Sequence, residues 1–199
     1  MKILTTGYEL STAITNLLLF ITSIYIFFNI KNKSYRWFYL FICMDSFLGI
    51  IVHGVRMNTT INTILWIILY ILFSITFNLL LYIFCNVKLK KVMIISLIVF
   101  IVMLITFIIA IKVPVNKLDN IVMLLYALCI VLISLYNIIK SNYKYKYYYI
   151  IGIIIQIIGI IPIFINLDLK YIDHNGLCHI FTLIAIVLFY LGVRKKESV

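Results

Sequence analysis

The chain alternates long apolar runs with short polar clusters. Seven apolar stretches stand out, at residues 10–30, 37–57, 62–85, 92–111, 120–139, 148–165 and 176–193. Each is close to the ~20 helical residues that cross a hydrocarbon core. Between them lie Lys31–Arg36, Asn58–Asn62, Asn86–Lys91, Lys112–Asp119, Lys140–Lys146 and Asn166–Asn175. Backbone polar groups have no water to pair with inside lipid, so such spans must close their hydrogen bonds internally as helices or as a barrel. Barrel strands alternate polar and apolar residues, and runs such as Val92–Ile111 do not. The pattern predicts an all-α bundle of seven transmembrane helices in one domain, residues 1–199, multi-pass in the cell membrane. The first run exceeds a signal-peptide core and has no small-residue cleavage site after it, so no removal is expected.

Composition agrees with that class. Apolar residues make up 65% of the chain, charged residues 12%, and the mean hydropathy is +1.19. Charge then sets an expected orientation. Lys31, Lys33, Arg36, Lys88, Lys90, Lys91, Lys140, Lys144, Lys146, Arg194, Lys195 and Lys196 fall on alternate loops and the C-terminal tail, leaving Lys2, Arg56, Lys112, Lys117 and Lys170 for the other side. The positive-inside rule places the C-terminus in the cytoplasm and, with seven crossings, the N-terminus outside. The net charge of +11 follows from that asymmetry and suits anionic membrane lipids as partners. Nucleic-acid binding would need a basic soluble surface, which this pattern does not offer. The four cysteines, Cys43, Cys85, Cys129 and Cys178, have unrelated spacings and form no CxxC pair, so they read as free thiols behaving as small apolar residues.

Candidate chemistry rests on three histidines, His53, His174 and His179. In a seven-helix bundle all three lie at one depth, near the outer ends of helices 2 and 7, level with Glu9 at the start of helix 1. On a continuous helix, residues five apart point about 140° from each other, so His174 and His179 converge only if His174 precedes the cap. Asn175 is a favoured N-cap type. With Asn175 as cap, His174 and His179 take the two positions that meet in a hydrophobic staple. His53 then completes a set of three nitrogens with a fourth position open for water, the arrangement of a catalytic zinc. Glu9 and Asp45 are candidate proton acceptors for that water. Asp45 precedes His53 by ~12 Å of helix axis and reads either as a hydrogen-bonding link between helices or as a group orienting the site from below. Ser46, seven residues before His53, shares its face more closely and joins Glu9 and Asp45 as a candidate catalytic residue. Two alternatives stand beside the zinc reading: a latch in which the histidines hold helices 1, 2 and 7 together, and axial ligation of haem.

Three motifs carry a resemblance: Glu9–Asn16, Asp45 through His53-Gly54, and His174-Asn175-Gly-Leu-Cys-His179. Together with the helix count they resemble an uncharacterised bacterial seven-helix membrane family, which in turn is distantly similar to the alkaline ceramidase and adiponectin-receptor superfamily. That likeness implies a membrane hydrolase of lipid amides or esters, with zinc held by one histidine on helix 2 and two on helix 7. His53 would match the first ligand and His179 the last. The departures are Asn175 where a pair spaced by four needs histidine, Gly49 where a serine precedes the helix-2 histidine by four, and no acid in helix 3. A non-catalytic sensor, transporter-like or immunity-type protein is the alternative to the hydrolase.

Overall fold

A computed structural model describes residues 2–3, 7–85, 87–110 and 115–197; the side chains of residues 2, 3, 7–9, 59, 103, 104 and 106–122 lie outside that description. Seven helices follow one another: α1 (Gly7–Asn29), α2 (Lys33–Gly54), α3 (Thr59–Phe84), α4 (Leu89–Ala110), α5 (Val115–Lys140), α6 (Lys146–Ile165) and α7 (His174–Glu197). Over their described residues α1, α2, α3, α5, α6 and α7 are long and apolar enough to cross a membrane. The strands β1 (Lys2–Ile3) and β2 (Val55–Arg56) pair antiparallel, Ile3 opposite Val55.

Several helices extend past the apolar runs into the polar clusters. α2 begins at Lys33 rather than near residue 37 because the Asn32 side chain accepts from the Ser34 and Tyr35 N–H groups, satisfying orphan donors of the first turn. Asn58 caps α3 in the same way through Ile61 N–H. The largest revision falls on α7. Its cap is Asp173, not Asn175: one Asp173 carboxylate oxygen accepts from Gly176 N–H at 2.7 Å, and the Asp173 carbonyl accepts from Leu177 N–H at 2.9 Å. Both residue types cap well, but Asp173 also meets hydroxyls from α1, which Asn175 does not, and that favours the earlier start.

α1 shows how the bundle handles a mainly apolar sequence. Leu10, Ile14, Leu17, Leu18, Ile21 and Phe28 are exposed, while Thr12, Thr15, Asn16 and Ser23 are buried. The polar stripe faces inward and the apolar stripe outward. Water would oppose so large an exposed apolar face, whereas lipid favours it. Inside, Thr15 Oγ1 and Asn16 Nδ2 donate to the Thr12 carbonyl at 3.0 and 3.1 Å, so these two buried groups find a partner within one turn, whereas Ser23 Oγ is buried without one.

Packing makes a closed ring in the order α1, α2, α3, α5, α6, α7 and back to α1, while α4 packs outside the ring on α3 and α5. A buried bond from Asn78 Nδ2 to Ser96 Oγ, 2.7 Å, ties α4 to α3. The α1–α2 turn, the end of α3, the α5–α6 turn and the end of α7 gather at one end, around a second cavity. There Glu197 accepts from the Asn32 N–H at 2.7 Å. This is the basic end; the histidines mark the other.

Candidate functional site

The ring encloses a cavity of about 200 Å³, lined by residues from all six of its helices and, among the described residues, none from α4. On α2 the lining runs from Phe38 to His53, ~22 Å of helix axis. So small a volume drawn out over that length is a narrow slot. Its two ends differ in chemistry. His53, Trp66, Asn175 and His179 line the end away from the basic loops, and Asn16, Asp45, Ser46, Gln156 and Thr182 follow below them. The far end is apolar, with Phe38, Leu80, Val131, Ile153, Ile186 and Phe189. Phe38, Phe84 and Phe189 pack ring on ring beneath it, with centroids 6.0 and 6.3 Å apart.

His179 is fixed by α1. Its Nδ1 lies 3.2 Å from Thr15 Oγ1, and that hydroxyl already gives its hydrogen to the Thr12 carbonyl. A hydroxyl used in this way can only accept, so the imidazole carries its proton on Nδ1 and keeps Nε2 as an acceptor. His53 stands edge to face with Trp66, centroids 5.4 Å apart and planes at 85°. His53 and His179 line the same end of the cavity.

His174 is placed apart from these two. With Asp173 as the cap, His174 and His179 belong to one continuous helix and point about 140° apart. His174 turns toward the α6–α7 loop, where its Nδ1 lies 2.8 Å from Asp168 and its backbone N–H donates to the same oxygen at 2.9 Å. That double contact, imidazole first and backbone second, holds the Asp168 carboxyl below its ordinary range. Glu9 belongs to α1, and its side chain lies outside the described residues. Asp45 and Ser46 line the cavity, and Ser46 is buried. Asp45 Oδ1 is shielded from solvent and has no hydrogen-bond partner, so through this oxygen it ties no helices together.

Catalytic zinc sites take three protein ligands and keep a fourth position open. The described side chains bring two imidazoles to the cavity and send the third to Asp168. Asp173 is already engaged: Thr12 Oγ1 donates to it, with its two oxygens at 2.6 and 2.8 Å, Gly176 N–H donates at 2.7 Å, and Ser11 Oγ lies 3.4 Å away. Among the described residues no three His, Cys, Asp or Glu side chains converge to hold a metal ion. Among the described residues the donor set therefore does not fit a three-ligand zinc centre, and no reaction step is routed through one.

Two features carry no signal in a search for metal ligands. Asp173 sits beside His174 in sequence but joins α7 to α1. Trp66, Tyr70, Phe73 and Phe77 also form an aromatic stripe along the cavity wall. Their spacing of four, three and four residues puts them on one helical face, which the sequence alone displays.

The model of a family of unknown function, DUF6962, matches residues 11–198. The chain belongs to this family. The DUF6962 match takes in the cavity-lining residues, including Asp45, His53 and His179, together with Asp173, and begins within α1, after Glu9. No curated protein and no solved structure matches the chain. The DUF6962 description names no activity, so the hydrolase likeness of the three motifs has no support from it.

Proposed function

We propose that this protein is a non-catalytic, multi-pass protein of the cell membrane that binds a small amphipathic molecule inside its helical ring, as a sensor or carrier does. One observation carries the reading: a slot of about 200 Å³, polar at the His53–His179 end and apolar at the Phe38–Phe189 end. An apolar cavity of ~150 Å³ already admits benzene, so this slot has room for part of an alkyl chain. Its narrowness favours an unbranched chain over fused rings. In this reading α4 is the seventh crossing. The basic end faces the cytoplasm, because Lys and Arg concentrate there, and the histidine end faces outside. His53 and His179 serve as polar contacts and as links between α2, α7 and α1.

The test uses the two tryptophans. Trp66 lines the cavity, and Trp37, half exposed on the outside of α2, is removed by Trp37→Phe. In neutral phosphatidylcholine nanodiscs, brominated dodecanol should quench Trp66 saturably, and excess unbrominated dodecanol should reverse it. Ala127→Phe fills the cavity from α5 and should abolish the saturable part. Quenching that is linear in quencher and equal in both proteins would mean contact from the bilayer only, and would end the proposal.

A further inference from the structure

The bonding inside the cavity selects the head group of its ligand. Gln156 Nε2 donates to Thr182 Oγ1 at 3.0 Å, and the Thr182 hydroxyl donates onward to the Cys178 carbonyl at 2.9 Å. Asn16 Nδ2 donates to the Thr12 carbonyl, and His179 Nδ1 faces Thr15. Each of these side chains directs a donor into the protein. On these cavity-lining residues the acceptor ends that remain are Gln156 Oε1 and His179 Nε2, while the Asn16 amide packs against Gly49. Beside them Asp45 Oδ1 is buried without a partner, an arrangement that carries a free-energy penalty until a donor arrives.

On α3, the helix that packs beside α2, the aromatic stripe lines the same slot. Trp66 and Tyr70 lie with centroids 5.5 Å apart, and Phe73 and Phe77 at 4.5 Å. Aromatic faces attract cations, more strongly where water is excluded. A carboxylate on α2 and aromatic rings on the adjoining α3, lining one slot, fit an ammonium group better than a hydroxyl, and they disfavour an anion.

Building on the cavity reading, we infer that the bound molecule is a straight-chain amphipathic amine whose ammonium group pairs with Asp45 while its chain runs toward Phe38 and Phe189. No covalent change is involved. An ammonium meeting the carboxylate, or a free amine taking the proton of the carboxyl, yields the same ion pair.

The experiment measures reversal of Trp66 quenching by dodecylamine, dodecanol and dodecanoate, in the Trp37→Phe protein in neutral nanodiscs. The amine should displace brominated dodecanol at a concentration at least about tenfold below the alcohol, the order expected for a close charge pair shielded from water, with dodecanoate weakest. Asp45→Asn keeps the shape and should remove the amine's advantage while leaving alcohol binding in place; Asp45→Glu should retain much of it. The ranking in the Asp45-bearing protein stands even where a variant folds poorly. An amine no better than the alcohol there, or an advantage that survives Asp45→Asn, would overturn the inference and leave the cavity reading intact. Failure of all three to reverse the quenching would overturn both.

Discussion

The Thr12 hydroxyl lies 2.6 and 2.8 Å from the two carboxylate oxygens of Asp173. These residues are 161 positions apart, both are buried, and they clasp the first helix to the last. The same carboxylate caps α7. One acid therefore starts a helix, closes the ring and sets the direction in which His179 points. Thr12→Val is nearly isosteric and leaves that buried carboxylate short of a donor. It should cost about 2 kcal/mol, read as a fall in thermal unfolding temperature in detergent. Asp168→Asn breaks an exposed pair and should cost far less. Equal losses in the two variants would contradict the clasp.

Gly49 should resist enlargement. A Cβ there would lie 2.6 Å from Asn16 Oδ1 and 2.7 Å from Asn16 Cγ, so α1 and α2 approach closely because the residue has no side chain. Gly49→Ala is expected to destabilise by about 1–3 kcal/mol through overpacking. Combining it with Asn16→Ala removes the clash, so the pair should be less damaging than the sum of its members. A double-mutant cycle reads that coupling; additive losses would place the two helices further apart than described here.

Acid should loosen the α6–α7 loop. His174 holds the Asp168 carboxyl below its usual range. A carboxylate with a depressed folded value adds stability above its unfolded value, about 3.9, and loses it as pH falls through the lower folded value. The unfolding temperature of the natural protein should therefore exceed that of Asp168→Asn by a small margin near neutrality, and the margin should vanish in strong acid. The same margin at both pH extremes would argue against the contact.

The all-α architecture was legible in the sequence because long apolar runs separated by polar clusters leave few alternatives to helices, and six of the helices are long and apolar enough to cross a membrane over their described residues. Helix ends were less legible: Lys33 and Ser34 read as loop by hydropathy, yet the Asn32 side chain starts a helix there. The site was half legible. His53 and His179 line one cavity because α1, α2 and α7 are neighbours; the sequence offers only their common depth. His174 fell elsewhere on a choice between two adjacent capping residues, Asp173 and Asn175, and only the Thr12 and Ser11 hydroxyls on α1 distinguish them. The position of α4 outside the ring had no sequence signature, since its apolar residues suit lipid and protein contacts alike.

The proposed binding site depends on a polar cavity head made by His53 and His179, with His174 turned away toward Asp168. Dibromobimane becomes fluorescent when it bridges two neighbouring thiols, and it can be applied to a protein lacking its native cysteines. His53→Cys with His179→Cys should give a strong fluorescent crosslink, and His53→Cys with His174→Cys should give none. A crosslink in the second pair and not in the first would place His174 on the cavity and undo the proposed binding site.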